Sequence, residues 1–223
     1  MKKYAVIVAG GNGSRMKTAT PKQFLLLHNK PVLFYTIEVF LKAFSDLEII
    51  LVLPPDFVED GYIMTELSSD AARIKLTAGG TTRFESVKKG LELVKEESVV
   101  FVHDGVRCLV SAALIRACYE QAMEKGSAVP AVAVTDSVRV LTARGSQPLN
   151  RDLLRAVQTP QTFRSSILLK AFEQPYREAF TDEATVAEAA GFEIHLIEGD
   201  KKNIKITLPE DLLIAENLLS GQP

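Results

Sequence analysis

The sequence predicts a three-layer α/β fold built on a mostly parallel sheet. Short, β-branched apolar runs recur along the chain, and segments with apolar residues at helical spacing separate them. The runs are also nearly continuous in apolar character, as strands covered by helices on both faces are.

Residues 4–9 form the first run and feed the stretch Ala9-Gly10-Gly11-Asn12-Gly13-Ser14-Arg15. Residues 32–43 carry helical spacing, 47–53 read as a strand, 57–68 as a helix, 74–77 as a strand and 83–95 as a helix. Residues 99–103 and 128–134 read as further buried strands around a helix at 111–125, with Ser111 as its N-cap and Gly126 as its stop. The pattern then breaks. Residues 136–141 alternate as a strand, 142–147 make a polar turn with Gly145, and 148–154 return, which predicts a projecting β-arm over about residues 136–155. Helices at 165–172 and 182–190, strands at 193–198 and 204–207, and a last helix complete the reading. Thr207-Leu208-Pro209-Glu210 offers that last helix a capping box. Ligands of such folds sit beyond the carboxyl ends of the strands. The glycine stretch, Gly79-Gly80 and His103-Asp104-Gly105 each follow a strand, so one rim should gather them.

A chain of 223 residues is long enough to bury its own core, and it reads as a single domain, 1–223. A net charge of −2 gives no electrostatic case for nucleic acid or an anionic membrane as partner. Cys108 and Cys118 form no CxxC pair and no histidine clusters with them, which argues against a zinc site and suits a reducing compartment. The run 4–9 is too short for a signal-peptide core, and no apolar segment reaches membrane-spanning length. A cytoplasmic protein is expected.

The glycine stretch carries the chemistry. Glycines let backbone N–H groups close around an anion, and Arg15 and Lys22 add positive charge beside them. That combination suits a nucleoside triphosphate. A Walker A loop would need Gly-Lys-Ser/Thr, whereas Ser14 and Arg15 follow Gly13. A dinucleotide fingerprint would need glycine where Met16 stands and an acid roughly 20 residues on, yet none occurs from Asn12 until Glu38. The plain alternative is a strand-to-helix turn with two surface cations. Asp104, at the end of a buried strand, is a natural magnesium ligand or a simple turn cap, and His103 reads as a packed neighbour. Gly79-Gly80-Thr81-Thr82-Arg83-Phe84-Glu85-Ser86 could read a base edge through its amides and the Ser86 hydroxyl, or be an ordinary capped turn.

Taken together, Ala9-Gly10-Gly11-x-Gly13-x-Arg15 with Pro21-Lys22-Gln23, Gly79-Gly80-x-x-Arg83-x-x-Ser86-Val87, His103-Asp104-x-x-Arg107, Thr159-Pro160-Gln161, Thr181-Asp182-Glu183-Ala184 and Asn203-Ile204-Lys205-x-Thr207 resemble the 2-C-methyl-D-erythritol 4-phosphate cytidylyltransferase family. The resemblance runs from Val6 to about Asn217. It implies a nucleotidyltransferase, Rossmann-like fold whose arm mediates a homodimer. It also implies transfer of CMP from CTP to 2-C-methyl-D-erythritol 4-phosphate with Mg2+, releasing pyrophosphate. Carried over by position, Arg15, Lys22 and Lys205 would act on the phosphates. Ala9, Gly10, Gly11, Gly13, Gly80, Arg83, Ser86 and Asp104 would border the nucleotide. Asp104, Arg107, Thr159, Thr181 and Lys205 would face the alcohol phosphate, and Asp104 would also stand near magnesium. Arg151, with Ser137 beside it, would reach the partner's site from the arm.

No strong general base is required, because a phosphomonoester is largely dianionic near neutrality. The reaction needs two polyanions aligned and their repulsion relieved, which cations supply. Two departures from the family pattern stand out: Cys108 where proline is usual, and Ser137 where threonine is common. A ribitol 5-phosphate cytidylyltransferase is the nearest alternative. A glycosyltransferase would present Asp-x-Asp, which the chain lacks. A nucleotide sensor would leave Lys22, Asp104, Arg107 and Lys205 without a purpose.

Overall fold

The computed structural model describes residues 1–11, 20–59 and 70–221. In chain order these hold β1 (Lys2–Val8), β2 (Leu26–Leu27), β3 (Lys30–Pro31), α1 (Val32–Ala43), β4 (Leu47–Leu53), β5 (Ile74–Ala78) and α2 (Arg83–Leu91). Next come β6 (Ser98–Asp104), α3 (Ala112–Lys125), β7 (Ser127–Ala133), β8 (Val138–Thr142), β9 (Gly145–Leu149), β10 (Arg155–Val157) and β11 (Gln161–Arg164). The chain closes with α4 (Ser165–Ala171), α5 (Glu183–Ala189), β12 (Leu196–Glu198) and α6 (Pro209–Ser220).

The main sheet runs in the order β10-β7-β11-β6-β1-β4-β5, with β12 paired to β7. The pairs of β1 with β4 and β6, of β4 with β5 and of β12 with β7 are parallel, whereas β11 is antiparallel to both β6 and β7. Alternation of side chains along each strand sorts the core into two layers. Ala5, Ile7, Ile49, Leu51 and Phe101 face one layer with Ile37 and Phe40 of α1 and Ile115 of α3. Tyr4, Val6, Ile50, Val52 and Val102 face the other with Phe84 and Val87 of α2, Leu168 of α4 and Val186 of α5. These strand residues are almost wholly buried, each worth about 1.5–3 kcal/mol of transfer free energy for a full-sized aliphatic side chain. This is the expected three-layer arrangement. A third, smaller cluster under the site joins Leu27, Val106, Cys108 and Leu109 to Ile206 and Ala215.

Local chemistry sets the helix ends. Thr82 and Glu85 form a reciprocal capping box for α2, and Ser111 accepts from Leu114 N at the start of α3. Gly126 ends α3 with φ 88°, a left-handed conformation that glycine adopts without strain. Asp182 caps α5 by accepting from Thr185 N.

Several boundaries differ from the sequence reading. Of the helix expected at 57–68, residues 60–68 lie outside the described residues, and a 3-10 turn, Pro55–Phe57, leads into it. Residues 204–207 form no strand: Ile206 N bonds Val106 O at 3.0 Å, so the segment lies against the loop after β6. The strand expected at 193–198 is confined to β12. The last helix is served by Asp211, not Glu210: its carboxylate accepts from Leu208 N at 2.8 Å. The arm exists as the β8–β9 hairpin, turning more tightly than expected, with Thr142 paired to Gly145. It projects from the body, leaving Leu141 84% exposed.

Candidate active site

Residues at the carboxyl ends of β1, β5 and β6 converge on one rim. A cavity of about 330 Å³ lies there, lined by Ala9, Gly10 and Gly11 after β1, Gly80 and Thr81 before α2, and Lys22, Asp104, Lys205 and Thr207. A second cavity, of about 180 Å³, is lined by Arg107, Thr159, Gln161, Thr181 and Asp182. Arg83, Asp104 and Lys205 line both cavities and form the wall they share.

The centre of that wall is Asp104. Its Oδ2 lies 2.8 Å from Lys205 Nζ and 3.6 Å from Arg107 Nε, and its Oδ1 lies 3.3 Å from Arg83 Nε. Burial alone would raise its pKa, but Arg83, Lys205 and Arg107 overcome that and hold the carboxyl well below the usual range. It is therefore a permanent anion among three cations. Arg83 is held in turn by Glu183, through Nη1–Oε1 at 2.5 Å and Nη2–Oε2 at 3.0 Å. Glu183 stands within Thr181-Asp182-Glu183-Ala184, and nothing in that local pattern marks it as the partner of a residue on α2.

The backbone around Asp104 is fixed by a chain of polar contacts. Asp104 N donates to Thr159 Oγ1 at 3.0 Å, and that oxygen stands 3.0 Å from His103 Nδ1. His103 Nε2 lies 3.2 Å from the Arg107 carbonyl, which can only accept. The Nε2–H tautomer satisfies all three groups, with the Thr159 hydroxyl donating to Nδ1. Burial pushes the His103 pKa down to about 3, so the ring is neutral. It is the packed neighbour expected from sequence. Asn203 Nδ2 donates to Thr159 O at 2.8 Å, and Arg107 Nη1 donates to Asn203 O at 2.8 Å.

Thr159 reaches this position through an irregularity in pairing. Val157 of β10 opposes Ala131 and Thr162 of β11 opposes Ala128. Four residues on one side thus face two on the other, and this bulge turns Thr159 toward β6. The Thr159–Pro160 bond within it is cis.

The first cavity is staked from several directions. Lys22 stands on a 3-10 turn, Lys22–Phe24, and its Nζ donates to Ile206 O at 2.9 Å. Buried Gln23 donates from Nε2 to Ala9 O at 2.7 Å, tying the returning chain to the end of β1. Ala9 N bonds Val52 O at 2.8 Å, so both polar backbone groups of Ala9 hold the rim together. Ser86 Oγ accepts from Gly80 N at 3.1 Å and donates to Thr82 O at 2.9 Å. Its proton is therefore engaged within the loop, as the capped-turn reading of this segment has it. A Cβ on Gly80 would lie 2.4 Å from Glu85 Cβ, so only glycine fits between the cavity and α2.

The remaining sequence-selected residues divide clearly. Thr181 borders the second cavity beside the Asp182 cap. Ser137 and Arg151 line neither cavity of their own chain, and Arg151 Nη1 bonds Thr135 O at 2.5 Å. Gly13 and Arg15 lie outside the described residues. Among the described residues lining the first cavity, Asp104 is the single acid, and no cluster of three metal-ligating side chains occurs among the described residues. A magnesium ion would need phosphate oxygens and water besides Asp104, the one carboxylate among those described residues. Cys108 is buried and its thiol is pushed up to about 12, so the departure from proline leaves no reactive thiolate. No helix among the described residues is long and apolar enough to cross a membrane.

Comparison with known proteins identifies one family. A family model described as IspD, 2-C-methyl-D-erythritol 4-phosphate cytidylyltransferase, matches residues 4–221. A curated relative of that name from Phocaeicola vulgatus is 47% identical, over 98% of this chain and 100% of its own length. Another from Porphyromonas gingivalis is 44% identical over 99% of each chain. A crystal structure of 4-diphosphocytidyl-2C-methyl-D-erythritol synthase from Anaerococcus prevotii superposes with a TM-score of 0.84 at 26% identity, covering 98% of this chain and 96% of that one. With the match spanning nearly every described element of the fold, the chain belongs to the 2-C-methyl-D-erythritol 4-phosphate cytidylyltransferase family.

Proposed function

We propose that the chain transfers CMP from CTP to 2-C-methyl-D-erythritol 4-phosphate, releasing pyrophosphate, and that the wall of Arg83, Asp104 and Lys205 is where the two substrates meet. The observation that carries this reading is the pair of cavities sharing that wall. The larger takes CTP, with base and ribose toward Gly10, Gly11 and the Gly80 loop and the triphosphate toward Lys22. The smaller takes the alcohol phosphate, near Arg107, Thr159 and Thr181. An oxygen of the dianionic alcohol phosphate attacks the α-phosphorus directly, and pyrophosphate leaves on the opposite side. Lys22 and Lys205, with Arg15, oppose the charge that gathers on the transferring phosphoryl group. Asp104 does not act as a base; as a permanent anion it aims Lys205 and Arg107 and keeps the three cations from repelling one another. Asp104 is also the residue that would hold Mg2+, whose charge would further neutralise the triphosphate.

The whole chain works as one catalytic unit, and we assign the arm to a homodimer. Its exposed Val140, Leu141 and Leu149 support this, as does the position of Arg151 and Ser137 away from their own chain's cavities. Arg151 then serves the partner's alcohol phosphate. Two buried free thiols suit a cytoplasmic enzyme.

The test is magnesium-dependent pyrophosphate release with CTP, comparing methylerythritol 4-phosphate and ribitol 5-phosphate, with ATP, GTP and UTP as controls. Preference for CTP and methylerythritol phosphate is expected. Preference for ribitol phosphate would move the enzyme to another substrate with the same mechanism, and silence with both would leave only nucleotide binding.

A further inference from the structure

The segment 204–208 supplies Lys205 and Thr207 to the cavity lining, yet it belongs to no sheet. Lys205 Nζ reaches Asp104, the Ile206 carbonyl receives Lys22 Nζ at 2.9 Å, and Thr207 lines the larger cavity. An irregular segment needs fixed partners for its backbone polar groups. Ile206 N donates to Val106 O at 3.0 Å and Ile204 N to Lys202 O at 2.8 Å. The amides of Thr207 and Leu208 meet a single carboxylate oxygen. Asp211 Oδ2, in the first turn of α6, accepts from Thr207 N at 2.7 Å, Thr207 Oγ1 at 2.9 Å and Leu208 N at 2.8 Å. Leu208, at the N-cap, has no side-chain acceptor of its own. Burial works to raise the Asp211 pKa, but these donors and the charge of Lys22 hold it below the usual range.

We infer that Asp211 is a positioning residue for both Lys22 and Lys205, setting the carbonyl that holds one and the backbone that carries the other. The inference rests on the phosphate-directed roles proposed for those two lysines. Helix capping is the competing explanation, since an acid at this place also starts α6.

The two explanations separate in a rescue experiment. Asp211→Ala is expected to lower kcat at least about tenfold, because a misplacement of about 1 Å at a charged reacting group costs rates of that order or more. Leu208→Ser, at a half-exposed position, supplies a side-chain cap without touching Thr207. The double variant Leu208→Ser/Asp211→Ala should regain thermal stability but not kcat. Recovery of both, or a full kcat in Asp211→Ala alone, overturns the inference. If the alanine chain does not fold, Asp211→Glu keeps the charge and displaces the oxygen by one methylene. It should fold with a lowered kcat, and a wild-type kcat there overturns the inference equally. Lys22→Ala and Lys205→Ala are measured beside them. Normal turnover in those variants would fail the proposed lysine roles, whereas normal turnover of the Asp211 variants beside crippled lysine variants would fail the positioning role alone.

Discussion

Glu183 and Arg83 are 100 residues apart in sequence and meet in a two-bond ion pair, with the carboxylate side chain only 1% exposed. Removing the acid would strand a largely buried guanidinium. Glu183→Ala should therefore cost about 3–5 kcal/mol of stability, the usual penalty for breaking a buried pair from one side. Urea unfolding monitored by circular dichroism measures it. A loss below about 1 kcal/mol would mean that Asp104 and solvent already satisfy Arg83.

Lys22→Ala should leave the unfolding midpoint nearly unchanged, since Lys22 stands on a short turn outside the hydrophobic layers. Its turnover should fall by about 10²–10³, as when a single donor to developing charge is deleted. Stopped-time assays of pyrophosphate release report this, and near-normal turnover would remove Lys22 from the chemistry.

Arg151→Ala should raise KM for the alcohol phosphate far more than KM for CTP. If the proposed arm-swapped dimer forms, mixing Lys22→Ala and Arg151→Ala chains should restore part of the activity, because a mixed dimer would hold one site with both residues intact. Equal effects on the two substrates would contradict the arm assignment. Absence of rescue, with subunit exchange verified by mass spectrometry, would argue for sites complete within one chain.

Acid should loosen the fold through His103. The unfolded imidazole takes a proton below about 6.5, while the folded one, pushed down to about 3, does not. The unfolded state thus binds more protons across that window, and stability falls as pH drops through it, by up to about 1.4 kcal/mol per pH unit from this group. The loss is complete once pH reaches the folded value. Urea midpoints measured from about pH 7 to pH 4 should show a shallower acid slope in His103→Gln than in the parent chain. An identical slope would assign the acid sensitivity to other groups.

The layers were legible in the sequence because two-sided burial leaves a continuous apolar run, and 47–53 matches β4 residue for residue. The rim was legible because glycines and charged residues follow those runs directly. Glu183 was not, since a buried acid in a first helical turn looks like a favourable dipole contact until α2 is seen against α5. Thr159 was reachable only through the family resemblance: its orientation comes from a mismatch in strand pairing that no local pattern announces. Asp211 was missed because Thr207 and Glu210 satisfy the capping spacing equally well on paper, and only the fold shows which oxygen the amides meet.

The reversed strand β11 has a consequence for how this architecture can change. Because it runs against β6 and β7, the chain leaves the ligand-bearing edge at the end of β7 and re-enters at that same edge. The β8–β9 hairpin lies in this excursion, ahead of β10, which rejoins the sheet beside β7. The hairpin's length and tip can be rewritten, or grafted from a relative, without shifting one pairing among β6, β1, β4 and β5. The fold thereby keeps the projecting hairpin apart from the strands whose ends line the two cavities.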